Sequence, residues 1–235
     1  MAYERKEPKS IKLWSTDIKK VFLGSTQIRP TNTFANWLLA YYPLESDAND
    51  HKADLWATGT TYNWTWTWTA NYTTLGWKTV ATFNTSNYID TGITCGSWPL
   101  TVACMYYCTS QSGYKAIIWT PFTWSWAPAV WLFFYQNYIY AWGGNMSRSE
   151  ADWFSIPNQE RHFAAIRVDE NWQVDFNVDS AKHTRTTTSF TINDVYYIWE
   201  WTSNKFNGWI CRLWIWNRSL SDDELAEYKT YIEWL

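Results

Sequence analysis

The sequence predicts an all-β protein: an antiparallel jelly-roll sandwich with one short C-terminal helix and a small β meander at its N-terminus. Three observations carry this. Runs rich in β-branched and aromatic residues with period-two patterning recur along the chain. Turn-rich stretches separate them at short, fairly even spacing, the signature of a sandwich or jelly roll. Only one segment, near the C-terminus, carries helix-start chemistry.

The first element is a repeat. LWSTDI (Leu13–Ile18) returns ten residues later as LGSTQI (Leu23–Ile28). It reads as strands IKL, DIKKVFL and QIR joined by turns WST and GST, until Pro30 and the polar TNT break the pattern. Residues 1–33 are therefore expected to form a separate β leader or attachment segment, and residues 34–235 the main domain. Strands of the main domain are expected at AYYPLE, KTVATFN, YIDTGI, LTVACMYYC, AVWLFFY, HFAAIRVD, QVDFNVD, VYYIW and ICRLWIW. At the end, Ser221 and Glu224 take the N-cap and N3 positions of a capping box, with Leu220 and Leu225 as its hydrophobic staple. The helix then runs through LAEYKTYIEW.

Composition narrows the function. The chain has 235 residues, enough for a sizeable core, and a formal net charge of −3 with no block of like charge. Nucleic acid and anionic membranes are poor partners for such a surface. No apolar run reaches the roughly 18 residues of a membrane span, and MAYERKEPKSIK has no apolar core of a signal peptide. The four cysteines, at 95, 104, 108 and 211, form no CxxC pair. On one strand Cys104 and Cys108 would lie about 13 Å apart, too far for a bridge or a shared metal. Buried free thiols are expected, and a disulfide from Cys211 to one of the others stays open.

The chain holds 21 Trp and only 9 Gly, where average usage of about 7% would give roughly 16 glycines. Many tryptophans fall where chain geometry asks for glycine. Trp172 lies between two alternating runs, where a type I′ hairpin turn would want Asn-Gly. Trp14 fills the turn whose repeat partner is Gly24. Trp77 follows Gly76 in a loop, and Trp124 and Trp126 lie in the loop-like PFTWSWAP. Two explanations compete. In one, the residues are Trp, and Trp64, Trp66 and Trp68 in NWTWTWT form a sugar-stacking stripe of roughly 450–750 Å² on one strand face. In the other, UGA codons have been translated as Trp although the source reads them as Gly, as some bacterial lineages and their viruses do. The second accounts for the turn positions and the Gly deficit together. It does not cover all 21, which would give 30 glycines, about twice the average share. Trp216, within an apolar strand, is expected to be genuine.

The stretch FNGWICRLWIWNRSLSDDELAEY (Phe206–Tyr228) resembles the closing motif of laminin-G-like domains of the concanavalin A-like lectin/glucanase superfamily: Phe-x-Gly, a strand ending in aromatic-Asn-Arg, then Leu-Ser and an acidic helix start. Supporting pieces follow in order: WLLAYYPLESDANDH (37–51), KTVATFNTSNYIDTGI (78–93), WPLTVACMYYC (98–108) and RHFAAIRVDENWQVDFNVDSAK (161–182). The resemblance spans about residues 37–230. Where that family tends to have Gly, this chain has Trp37, Trp77, Trp172 and Trp199. KKVFLGSTQIRP resembles short leader segments of phage tail and other virion proteins.

The resemblance implies either glycan binding or glucanase chemistry, and the residues discriminate. Glucanases of this fold carry closely spaced carboxylates on one strand, a nucleophile and an acid about 5–5.5 Å apart. No such motif is present. The nearest set is Asp175, Asn177 and Asp179 at alternate positions, read as a solvated strand face with Asp179 at the strand's end. His51, His162 and His183 are scattered, without HxH or HExxH spacing, and His162 is expected near the start of a core strand. Some laminin-G-like domains bind Ca²⁺ at a loop rim. Asp47, Asn49, Asp50 and Asp54 in ESDANDHKAD offer oxygen ligands of that kind, against the reading of a polar turn capped by Asx side chains. The Asn-x-Ser/Thr sequons at Asn63, Asn71, Asn84, Asn145 and Asn217 are read as chance. The expectation is a non-enzymatic binding or structural protein, a virion component with a lectin-like domain for a glycan or surface protein. Its partners would be other virion or surface subunits, and its location a virion or a cell surface. A cell-surface adhesion module is the alternative, and a glycoside hydrolase the third reading.

Overall fold

A computed structural model describes residues 21–23, 26–28, 37–45, 49–55, 61, 63, 65–66, 71–75, 78–83, 89–94, 99–108, 115–118, 129–135, 138–144, 152–155, 160–186, 195–198 and 208–234. The chain divides into two compact units, Met1–Asn32 and Thr33–Leu235. In the first, β1 (Val21–Leu23) and β2 (Thr26–Ile28) pair antiparallel, with Leu23 opposite Thr26. The expected preceding strand and Trp14 lie outside the described residues.

The second unit is an antiparallel sandwich. Its strands are β3 (Leu38–Tyr42), β4 (Thr65–Trp66), β5 (Asn71–Leu75), β6 (Lys78–Phe83), β7 (Ile89–Thr94), β8 (Leu100–Cys108), β9 (Lys115–Ile118), β10 (Ala129–Tyr135), β11 (Tyr138–Gly144), β12 (Asp152–Ser155), β13 (Arg161–Val168), β14 (Gln173–Val178), β15 (Ala181–Thr186), β16 (Val195–Ile198) and β17 (Gly208–Trp216), followed by helix α1 (Asp222–Trp234). One eight-stranded sheet runs β15-β14-β13-β8-β17-β6-β5, with β3 also paired to β17. Opposite it stand a four-stranded sheet, β12-β11-β10-β9, and a three-stranded sheet, β16-β7-β4, with β16 beside β9.

Pleat alternation splits the eight-stranded sheet's residues between two cores. Val102, Cys104, Tyr106, Ala164, Ile166, Phe176, Ile210 and Ile215 face the opposing sheets and meet Ile93, Ile117, Leu132 and Ile139. Ala103, Met105, Phe163, Ala165, Trp209, Trp214 and Trp216 face the other way and are covered by Leu220, Leu225, Tyr228 and Ile232 of the C-terminal segment. This second cover explains why every residue of β17, and all but Tyr107 of β8, is buried. A strand covered on both faces gains nothing from polar alternation. Trp214 lies 4.7 Å from Tyr228 and 4.5 Å from Tyr41, ring centre to ring centre, so the cover is largely aromatic.

β17 is shared along one edge. Residues 208–210 pair with β6, and Leu213–Trp216 with β3. At the handover Arg212 adopts φ 53° and Leu44 φ 59°, and the Arg212 amide donates to Pro43 O at 3.1 Å. The bulge shifts register against β8 between Cys211 and Trp214, which lets Ile210 and Leu213 face the same core. Gly208, the glycine of the closing motif, sits so close to β8 that a Cβ would lie 1.9 Å from Tyr107 O. Cys104, Cys108 and Cys211 are buried and in no disulfide. Cys104 and Cys211 occupy opposite faces of the sheet, so no bridge joins them.

The helix start is built as the sequence predicts. Ser221 Oγ accepts from the Glu224 amide at 3.2 Å, and Glu224 Oε2 accepts from the Ser221 amide at 2.9 Å. Leu220 and Leu225 are both buried. Thr101 Oγ1 bridges the turn before the helix, accepting from Leu220 N and donating to Arg218 O. Arg218, the arginine of the motif, forks onto both oxygens of Glu224 at 2.7 Å.

Candidate functional site

The carboxylates singled out in β14 are structural. Asp175 is buried, not solvated as expected. Its strand neighbours explain the difference: Arg167 is its register partner on β13, and Thr184 on β15. Arg167 Nη2 donates to Oδ2 at 2.8 Å, Lys182 Nζ lies 2.9 Å from the same oxygen, and Thr184 Oγ1 donates to Oδ1 at 2.7 Å. Arg167 also donates to Leu220 O at 2.7 Å and pairs with Asp222, which Lys182 reaches at 3.1 Å. These groups fasten the first turn of α1 to the sheet. The Asp222 carboxyl is held below the usual carboxylate range by the Arg167 and Lys182 hydrogen bonds.

Asp179 stands just past β14 in the two-residue turn to β15, with φ 52°, as expected for a residue at a strand's end. Its Oδ2 lies 2.8 Å from His162 Nδ1, and its Oδ1 accepts from the Phe163 amide at 3.0 Å. Burial opposes its ionisation, but these hydrogen bonds outweigh that and keep its pKa below the ordinary value. Asp179 thus holds an imidazole partner, and Asp175 shares the cations Arg167 and Lys182 with Asp222. His162 is the second residue of β13 and is buried.

In the acidic loop, Asp50 turns inward. Its Oδ1 accepts from the amides of Tyr41 and Lys52, both at 3.0 Å, and Lys52 Nζ stands 3.7 Å from Oδ2. That ammonium also donates to Leu39 O at 2.7 Å. The buried carboxylate therefore already faces a cation supplied by the chain, and acts as the turn-capping Asx side chain of the bland reading. Asn49 is exposed; Asp47 and the Asp54 side chain lie outside the described residues. Among the described residues no cluster of three His, Cys, Asp or Glu could hold a metal ion. Asn63, one of the sequons, accepts from the Asp50 amide at 3.2 Å and braces the same loop.

Of the predicted tryptophan stripe, Trp64 and Trp68 lie outside the described residues. Trp66 ends the two-residue strand β4, paired with Ile89 of β7. A different aromatic set emerges from the register of the four-stranded sheet. Leu132 and Ile139 are buried in the sandwich core. In the backbone register the intervening positions pair aromatic with aromatic: Trp131 with Trp142, Phe133 with Tyr140, and Tyr135 with Tyr138. Tyr140 in turn pairs with Trp153 of β12. Seven aromatic positions on three adjacent strands thus fall in register rows that alternate with those of Leu132 and Ile139. The signal was in the alternation of AVWLFFY and YIYAWGG, but only the register of β10 against β11 brings the two rows together.

No family model matches the sequence, and no characterised protein matches it by sequence. Solved structures do match by fold. Domain 4 of AbnA, a GH43 extracellular arabinanase from Geobacillus stearothermophilus, in complex with arabinotriose, superposes with a TM-score of 0.63 at 17% identity, over 81% of this chain and 97% of that one. The receptor binding domain of botulinum neurotoxin D gives 0.61 at 10% identity, over 85% of this chain and 54% of that one. A botulinum neurotoxin type C structure, of a toxin whose cell entry depends on interaction with two ganglioside molecules, gives 0.63 at 8% identity, over 83% and 51%. The chain spans about half the length of these toxin structures. At such identities the likeness establishes the fold, an antiparallel β-sandwich shared with carbohydrate- and receptor-binding domains.

Proposed function

We propose that residues 33–235 form a non-catalytic, lectin-like module of laminin-G-like type that holds a glycan against the outer face of the four-stranded sheet. The observation that carries this is the register that pairs Phe133 with Tyr140 and Tyr135 with Tyr138, joined by three tryptophan positions; strand alternation would turn this set away from Leu132 and Ile139. A sugar ring has a C–H face and a hydroxyl rim. Aromatic rings meet the first by dispersion, and tyrosine hydroxyls can meet the second. The fold is one on which other proteins, by their names, take arabinotriose or depend on gangliosides. The engaged states of Asp175 and Asp179 support a binding role over hydrolysis.

We further propose that residues 1–32 join the module to a larger assembly, a virion being the reading favoured by the leader's resemblance to tail-protein segments. A cell-surface adhesion module would use the same binding face.

The test is a glycan array on the full chain, followed by titration of the best binder against Phe133→Ala and Tyr140→Ala. Each substitution is expected to weaken binding about tenfold with the far-ultraviolet spectrum unchanged. Undiminished affinity in both variants would remove the face from the mechanism. Release of reducing sugar from the bound glycan would overturn the non-catalytic reading.

A further inference from the structure

The structure sorts the tryptophans into two kinds. Trp214 and Trp216 are fully buried, in ring contact with each other and with Tyr228. Neither appears among the residues of positive φ. Trp37 and Trp172 are different. Their φ values are 63° and 64°, in the left-handed region where a Cβ clashes with the following carbonyl. Tryptophan has neither glycine's freedom nor the short polar side chain that lets Asp179 sit at φ 52°, and Leu44 and Arg212, which share the region at φ 59° and 53°, are buried at the β3–β17 handover, as Trp37 is not.

The local geometry says what each position wants. Asp169 N donates to Gln173 O at 3.0 Å, and Trp172 N to Asp169 O at 3.2 Å. Asp169 Oδ1 takes the amides of Asn171 and Gln173, both at 2.8 Å. This is a three-residue hairpin loop, a tight turn followed by one left-handed residue. It is not the two-residue type I′ turn that the sequence suggests. The left-handed position of such a loop is the one at which glycine is favoured, and it holds Trp172. Trp37 immediately precedes β3, its carbonyl accepting from the Asn217 amide at 3.0 Å, and it is 71% exposed, the one large hydrophobic residue so placed among those described. Its ring therefore has little core contact to offset the backbone conformation, whereas Trp172 packs in part against the sandwich core.

We infer that the native protein carries glycine at 37 and 172, encoded by UGA and inserted by a glycine-accepting tRNA that reads this codon, while Trp214 and Trp216 are UGG-encoded tryptophan. The same reading extends to Trp14, whose partner in the sequence repeat is Gly24.

The experiment reads the four codons in the encoding DNA and sequences the corresponding peptides of the protein from its native source. UGA at 37 and 172, UGG at 214 and 216, and glycine in the native peptides at the first pair are expected. UGG at either 37 or 172, or tryptophan in either native peptide, overturns the inference; UGA at 214 or 216 overturns the structural sorting. Stability gives an independent readout. Trp37→Gly in the tryptophan-containing chain is expected to raise Tm by about 2–4 °C. Trp172→Gly should gain less, because it also gives up packing. A lowered Tm in Trp37→Gly would show that the ring, not a hydrogen, belongs at that site.

Discussion

At the scale of single residues, backbone geometry decides more than side-chain chemistry does. Gly208 illustrates this from the opposite side to Trp37. Here the printed glycine is required by space, since a Cβ would stand 1.9 Å from Tyr107 O, a backbone atom that moves only if β8 moves. Gly208→Ala is therefore expected to lower stability by about 1–3 kcal/mol, measured as a reduced denaturant midpoint at unchanged slope; an unchanged midpoint would mean that the β8–β17 contact is looser than it stands. The closing motif's glycine and arginine were legible in the sequence through its resemblance to laminin-G-like domains; the arginine serves a local fork onto Glu224, whereas the space that requires the glycine is set by β8. Asp175 was not. Its burial depends on Arg167, Lys182 and Asp222, which only the strand order and the docking of α1 bring to it, and nothing in the spacing of QVDFNVD signals them.

At the scale of elements, α1 is held by a local cap and by charges reaching across the sheet. The capping box and staple were readable because they lie within a few residues of one another. The Arg167–Asp222–Lys182 contacts were not, because their partners come from β13 and β15. Three carboxyls in and around this region are held below their ordinary pKa: Asp222 by Arg167, Glu224 by Arg218, and Asp179 by His162 and the Phe163 amide against an opposing burial effect. For each, the folded pKa is lower than the unfolded one. The stabilisation is therefore complete above the unfolded values of about 3.9 for Asp and 4.3 for Glu, and is lost as pH falls through the folded values. Stability should fall steadily below about pH 4, with the helix signal among the first to report it. Asp222→Asn should flatten that decline by removing one of the three linked protons, its effect at neutral pH being modest because the group is largely exposed. Thermal midpoints of both proteins from neutral to acidic pH check this; parallel curves would show that Asp222 takes no part in the linkage.

At the scale of the whole module, two surfaces could meet a ligand. One is the face of the four-stranded sheet proposed above to carry the aromatic positions. The other is the edge of the eight-stranded sheet, where all of β15 is exposed and carries Lys182, His183 and Arg185. Their physics differs. Contact through aromatic rings is short-ranged and survives salt, whereas capture of an anionic sugar along a basic strand weakens as the Debye length contracts from about 10 Å at 0.1 M to about 3 Å at 1 M. The chain's net charge of −3 gives no long-range attraction to an anion, which agrees with the aromatic face proposed above as the binding site. Four of its seven positions are Phe or Tyr, and no rereading of tryptophan codons removes them. Binding is therefore expected to change less than about twofold across that salt range and in Arg185→Ala, and to survive Trp37→Gly and Trp172→Gly together. A steep salt dependence with loss of binding in Arg185→Ala would move the ligand to the β15 edge and identify it as acidic. Retained binding in the double glycine variant would separate recognition from decoding, so that the tryptophans at left-handed positions bear on how the chain is translated and not on what it holds.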